Sequence, residues 1–358
     1  MYSGKPLKAH IELSNKCNAM CPQCGRNATV DGTLKLQPGM QDRELRLEDI
    51  EKIFDDEFWN NHTLTNVRFV GNYSDPIATK DLHEIVEFFI LNNPQIKITI
   101  STNGSLKTEE WWYHFGRLMS STYNKGKTRK VIFALDGTDN ITHALYRHRT
   151  NYDKIIRNAK SFISAGGNAE WSFLVFKHNE HQLEEAKRLS KEYGFKKFLA
   201  VYTTRFHNGK GYKEYKLDGA DYKLEETTTK EMPNLSTIPW PPENIDISCK
   251  VLQEDYEEIF VDYTGEIVPC CWVGASLHRW RTKDDYFKSS YPVEDDRLIE
   301  EVLDGSHNAI KYGATKVMEN QWFTKLKESW VDKPCRVCYR ICNKKLNLKK
   351  EKVEEEWV

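Results

Sequence analysis

The sequence predicts an α/β fold built on a parallel sheet, and three observations carry that prediction. Six short runs rich in β-branched and aromatic residues alternate with helical patterns over the first 206 residues. Each run is bounded by turn-forming residues. The helical patterns each show a single apolar stripe, as helices laid against a sheet do.

The strand candidates are His10–Leu13, Asn66–Gly71, Ile96–Ser101, Val131–Leu135, Trp171–Phe176 and Phe198–Thr203. Between the second and third, Leu82, Ile85, Val86, Phe89 and Ile90 fall on one helical face. Ile155, Ala159, Phe162 and Ile163 form a later stripe, closed by Gly166-Gly167. The run from Asn179 to Tyr193 opens with Asn179-x-x-Gln182, which reads as a capping box, and stops at Gly194. Pattern alone admits an open doubly wound sheet, a partial barrel or a full one. In each, ligands gather at the C-terminal strand ends.

Composition narrows the class of protein. With 39% hydrophobic residues the 358-residue chain can build a packed core, and a formal net charge of −1 lacks the basic footprint of a nucleic-acid binder. Mean hydropathy is −0.68, no run of 18 apolar residues is present and no apolar segment follows Met1. The expectation is therefore a cytoplasmic protein without a membrane span or signal peptide. There, nine cysteines point to metal ligands or reactive thiols rather than disulfides.

Beyond the alternating region (1–206), residues 207–248 read as a polar linker, with Gly209-Lys210-Gly211, Thr227–Thr229 and Pro239-Trp240-Pro241-Pro242. Residues 249–345 form a second, smaller α+β region. It starts with a β-hairpin, Glu258–Val261 and Glu266–Val268, turning at Asp262-Tyr263-Thr264-Gly265. The charged end, 346–358, reads as a solvated helix or frayed tail.

The cysteines fall in three groups: 17, 21 and 24; 249, 270 and 271; 335, 338 and 342. Cys17-x-x-x-Cys21-x-x-Cys24 follows the first strand, where chemistry is expected. Thiolates from one tight loop reach three corners of an iron–sulfur cubane, whereas Cys₄ zinc sites mostly use two separated knuckles. Three ligands leave one iron open to a small molecule. A structural zinc site, in a non-catalytic interaction module, is the alternative.

This loop resembles that of the radical S-adenosylmethionine superfamily, whose signature is CxxxCxxC after the first strand of a partial (β/α)6 TIM-type barrel. Gln23 departs from the aromatic residue usual before the third cysteine. The resemblance implies a [4Fe–4S] cluster on Cys17, Cys21 and Cys24 whose open iron chelates S-adenosylmethionine. It also implies reductive cleavage to a 5′-deoxyadenosyl radical, with electrons from a flavodoxin or ferredoxin. Tyr73-Ser74-Asp75-Pro76 is similar to the family's Gly-Glu-Pro segment near the methionine ammonium. Ser101-Thr102-Asn103 looks like its ribose-contacting turn, with Ser101 and Asn103 as contacts. Asp136, His143 and Arg147 resemble a family pattern in which the Arg meets the methionine carboxylate.

Cys249-x₁₅-Gly265-x₄-Cys270 resembles the opening of SPASM and twitch domains. It implies an auxiliary [4Fe–4S] cluster on Cys249, Cys270, Cys335 and Cys338, with Cys342 as an alternative ligand. Cys271 and Cys342 then stand as candidate hydrogen donors. The expected reaction is attack on an unactivated C–H bond, of a peptide by preference, otherwise of a sugar or other small molecule.

Overall fold

A computed structural model describes residues 5–40, 42–121, 128–203, 205–206, 210–230, 245–249, 251, 257–282, 297–331, 333–344 and 352–356. All six expected strands are present: β1 (Leu7–Ile11), β4 (Leu64–Val70), β5 (Lys97–Thr102), β6 (Arg129–Ala134), β7 (Ala169–Val175) and β8 (Lys197–Tyr202). They pair in parallel in that order. Helices α1 (Leu82–Asn92), α2 (Glu109–Ser120), α3 (Tyr152–Ser164) and α4 (Leu183–Glu192) fill the crossovers. The α1 stripe of Leu82, Ile85, Val86, Phe89 and Ile90 is buried, as its periodicity requires. Within the sheet, Trp171 is fully buried and donates Nε1–H to the Leu135 carbonyl at 2.8 Å.

Four local expectations need correction. Asn179 does not cap α4. A short 3-10 turn, Glu180–Gln182, precedes the helix, and the Asn179 side chain instead accepts from Phe176 N–H and donates to the Asp136 and Leu174 carbonyls. The hairpin forms as β11 (Glu257–Val261) and β12 (Ile267–Val268), but β11 also pairs in parallel with β1. Without it, β1 would be an edge presenting unpaired backbone groups. Gly265 makes the turn at φ +96°, where a Cβ would meet Ile310 at 2.7 Å.

The linker region contains a second hairpin, β9 (Tyr212–Leu217) and β10 (Ala220–Glu225). It joins β2 (Asn27–Val30) and β3 (Thr33–Leu36) in a separate four-stranded sheet. Pro239-Trp240-Pro241-Pro242 lies outside the described residues. In the charged tail, Lys352–Glu356 form β13, antiparallel to β8, where a helix or fray was expected. The main sheet thus runs β12-β11-β1-β4-β5-β6-β7-β8-β13. Among the described residues no helix is long and apolar enough to cross a membrane.

Replacing Trp171 with Ala removes both a buried ring and its hydrogen bond. The expected loss, measured by denaturant unfolding, is about 3–5 kcal/mol; a loss below about 1 kcal/mol would contradict this packing.

Candidate functional site

The Cys17–Cys24 loop sits at the C-terminal end of β1 and is fixed from several elements. Met20 N–H donates to the His148 carbonyl at 3.1 Å, and Asp75 N–H to Lys16 at 2.8 Å. Arg205 and Lys213 donate to the Gln23 and Pro22 carbonyls. Leu34, Tyr215, Leu217 and Leu224 of the four-stranded sheet pack with Ala19, Met20, Cys21, Tyr146, Phe176 and Phe206 in a second hydrophobic cluster. That sheet covers the loop.

Each thiol faces at least one N–H donor. Ala19 N lies 3.4 Å and Asn103 Nδ2 3.6 Å from Cys17 Sγ. Arg147 Nη1 lies 3.8 Å from Cys21 Sγ, and Arg26 N 3.5 Å from Cys24 Sγ. Hydrogen bonds to sulfur suit thiolate ligands of an iron–sulfur cluster. Burial pushes the Cys17 thiol far up, with Asp75 adding to it. It pushes Cys21 up to about 11, opposed by the Arg147 guanidinium. Such thiols ionise when a metal replaces the proton. Among the described residues no three His, Cys, Asp or Glu side chains converge as ligands of a single metal ion do.

The segment after β4 is held by Glu12, a residue the sequence did not single out. Its buried carboxylate accepts from the N–H groups of Asn72, Tyr73 and Ser74 and from Ser74 Oγ at 2.7 Å. The turn is so tight that a Cβ on Gly71 would lie 2.1 Å from the Ser74 carbonyl. The signal was available: Glu12, the residue after β1, continues the alternation of Lys8 and His10.

Of Tyr73, Ser74 and Asp75, the last meets the chain just before the cysteine loop through its N–H to the Lys16 carbonyl, and the polar side-chain atoms of all three are engaged. Tyr73 Oη donates to the Ala275 carbonyl at 2.6 Å. Asp75 accepts from Ile77 N–H, Thr102 Oγ1 at 2.7 Å and Asn103 N–H at 2.7 Å. Asp75 therefore staples the end of β4 to that of β5 and holds Asn103 against Cys17. Asn103 Oδ1 accepts from Ser105, and its Nδ2 also donates to Asn18 Oδ1 at 3.0 Å. Ser101 stands half-buried on the inward face of β5.

Asp136 and Arg147 form a buried pair, Nε to Oδ2 2.6 Å. The other Asp136 oxygen accepts from Leu174 N–H at 2.7 Å, and His143 Nδ1 accepts from the Asp136 N–H. Arg147 is thus aimed at Cys21 by Asp136.

The C-terminal cysteines gather elsewhere. Cys249, Cys270, Cys338 and Cys342 line one apolar cavity with Trp272, Leu326 and Trp330. Cys338 and Cys342 lie four residues apart on α6 (Arg336–Cys342), so one helical face presents both. Cys335, the residue before that helix, places its sulfur 2.9 Å from that of Cys338. Cys271 opens α5 (Cys271–Thr282) and turns the other way, into electrostatic reach of Glu258, Arg68 and Glu12.

Fold and site together define a parallel-sheet protein whose chemistry lies at the strand ends, around three thiols on one loop. Residues 11–204 match the Radical SAM superfamily, more than half the chain, and the chain belongs to that family. The family's cofactors are S-adenosylmethionine and a [4Fe–4S] cluster. Among solved structures, native anSMEcpe with bound AdoMet has a TM-score of 0.50 at 15% identity, over 97% of this chain and 91% of that one. Streptococcus suis SuiB bound to S-adenosylmethionine has 0.49 at 15% identity, over 84% and 72%. No curated protein sequence matches significantly.

Two predictions follow from the buried charges. Replacing Arg147 with Met leaves the Asp136 carboxylate buried and unpaired. Denaturant unfolding should show a loss of about 3–5 kcal/mol, partly recovered by adding Asp136→Asn; no recovery would mean the pair is not coupled. Burial pushes Glu12 up to about 7, against the donors that favour its ionised form. The folded state thus holds a proton that the unfolded state releases near the ordinary value. Relative to Glu12→Gln, wild-type stability should fall as pH rises from about 4.5 to 7; parallel pH profiles for the two proteins would refute this.

Proposed function

We propose that the protein is a radical S-adenosylmethionine enzyme of the oxidoreductase or maturase type, taking hydrogen from an unactivated C–H bond. The observation that carries this is the three-thiol loop at the strand end, with Cys21 buried, Cys17 and Cys24 half-buried, and each thiol supplied with an N–H donor. Cys17, Cys21 and Cys24 would hold the [4Fe–4S] cluster. When bound, that group supplies the electron that cleaves S-adenosylmethionine to a 5′-deoxyadenosyl radical.

The chain's own side chains position and shield. Glu12 fixes the Asn72–Ser74 turn, Asp75 holds Asn103 against Cys17, and Asp136 orients Arg147. Together with Tyr73, Ser74 and Ser101, these are the residues proposed to meet S-adenosylmethionine. The four-stranded sheet excludes water from the loop. A flavodoxin or ferredoxin is the proposed electron donor, in the cytoplasm.

The C-terminal thiols are proposed to hold an auxiliary [4Fe–4S] cluster of the SPASM/twitch kind. Cys249, Cys270, Cys338 and Cys342 are the favoured ligands, because all four line the cavity. Cys335 lies behind Cys338 and is the substitute. That arrangement makes Cys342 a ligand rather than a hydrogen donor. Cys271 keeps the donor role because its thiol sits on the inward side, near Glu12, Arg68 and Glu258.

A peptide remains the favoured substrate, to be crosslinked, epimerised or oxidised. The anSMEcpe structure with this fold holds a Cp18Cys peptide, so the architecture admits one. A sugar or other small molecule is the second reading.

Anaerobically reconstituted protein should carry roughly eight iron atoms per chain and release 5′-deoxyadenosine with dithionite. Cys17→Ala should abolish that release; retained cleavage would contradict the assignment, as would colourless, zinc-loaded protein. Cys342→Ser should lower iron to roughly four while Cys335→Ser keeps it near eight; the reverse result would restore Cys335 as the ligand. With Cys271→Ala, solvent deuterium should no longer enter product.

A further inference from the structure

The barrel's inward face carries charge where a closed barrel carries packed branched side chains. Register sets Glu258 of β11 opposite Lys8 of β1, and His10 of β1 opposite Arg68 of β4. Strand alternation puts these four on one face, away from the buried core residues Leu7, Ala9, Ile11, Val67 and Phe69. Arg68 lies mid-strand in a central position, yet its side chain is 38% exposed. It opens onto the interior of the barrel.

The polar atoms on this wall are only partly met. Arg68 Nη2 pairs with Glu258, but Arg68 Nε is buried and has no partner among the described residues. A guanidinium has five donors, and a buried N–H without an acceptor costs about 1–3 kcal/mol. Next to it, His10 is 4% exposed, and its Nε2 meets the Val70 carbonyl at 2.6 Å. Nε2–H is therefore the donor, which leaves Nδ1 of the neutral ring as an acceptor. Burial keeps that ring neutral, lowering it to about 4. Among the described residues, His10 Nδ1 is buried and unpartnered, and so is Asn66 Oδ1, two residues before Arg68 on the same face of β4. Lys8 lies within electrostatic reach of Glu258, Arg68 and Lys97. Arg68 and Lys8 both act on the Glu258 carboxylate.

We propose that this wall is a substrate subsite for a carboxylate that carries an N–H or O–H donor close by, Arg68 and Lys8 taking the anion and His10 Nδ1 the donor. An α-hydroxy acid and the carboxyl-terminal residue of a peptide share that chemistry. The inference rests on the reading of the barrel interior as the reaction chamber. A planar carboxylate matches the geometry of a guanidinium edge, and Arg68 keeps one donor, Nε, without a partner among the described residues. Cys271 borders the same wall, which sets the proposed hydrogen donor beside the anchored end of the substrate.

The test uses full-length, cluster-loaded protein with S-adenosylhomocysteine and three probes: N-acetylglycine, glycolate and N-acetylglycinamide. Binding is followed by saturation-transfer NMR and calorimetry. The carboxylates should bind saturably, and the uncharged amide about tenfold more weakly or worse, the cost of one charge-assisted hydrogen bond. Arg68→Gln should weaken N-acetylglycine about tenfold, and Arg68→Lys less. Lys8→Met gives a second reading if the Arg68 variants do not fold. Tighter binding of N-acetylglycine than of glycolate assigns a peptide terminus; the opposite order assigns a hydroxy acid. Equal binding of amide and carboxylate, no binding, or affinities unchanged in Arg68→Gln and Lys8→Met would overturn the subsite. If the wild type still forms 5′-deoxyadenosine in that event, the radical reading stands without it.

Discussion

Holding a short, sulfur-bearing loop in a buried position while keeping its backbone hydrogen-bonded is the constraint on which this structure depends. Unpaired backbone groups away from water are costly, and a loop has no ladder of its own to satisfy them. Here one bond, Cys24 N–H to the Cys21 carbonyl, lies within the loop, and other partners come from outside it. His148 takes Met20 N–H, Asp75 N–H is donated to Lys16, and Arg205 and Lys213 reach the carbonyls of Gln23 and Pro22. These contacts draw on the segment after β4, the segment after β6, the stretch after β8 and the second sheet. The loop's position is a property of the whole parallel array.

Buried carboxylates do much of the holding. Glu12, Asp75 and Asp136 are each nearly or fully inaccessible, and each ties two strand ends together. Glu12 gathers the turn after β4, Asp75 binds that turn to the end of β5, and Asp136 joins the end of β6 to β7 and to Arg147. A carboxylate accepts several hydrogen bonds at once, so it can cross-link backbone segments that no apolar side chain could register. Fixing groups before a ligand arrives reduces the ordering cost on binding.

How much of this was legible in the sequence depends on the range of the interaction. The six strands and the α1 stripe follow from local periodicity and were readable. So was the three-thiol loop, because its ligands are neighbours in the chain. The pairing of β11 with β1 was not, since Leu7 and Glu257 meet only through tertiary packing. The β9–β10 hairpin was masked by polarity: its strands alternate Tyr and Leu with Lys, Glu and Asp, as a sheet with one wet face does. Asn179 satisfied a helix-start pattern but is drawn to the Asp136 and Leu174 carbonyls, a competition no local rule registers. Cys342 looked like a spare thiol by spacing, and only the face of α6 reveals its company with Cys338.

The central claim is that the N-terminal triplet leaves one iron for a small molecule to chelate. Electron paramagnetic resonance of the dithionite-reduced protein, with the auxiliary thiols replaced so that only this cluster forms, tests it directly. Adding S-adenosylmethionine should shift the g-values and broaden the spectrum when the isotopically labelled methionine moiety is used. Spectra that superimpose with and without it would mean that the cluster offers no open iron.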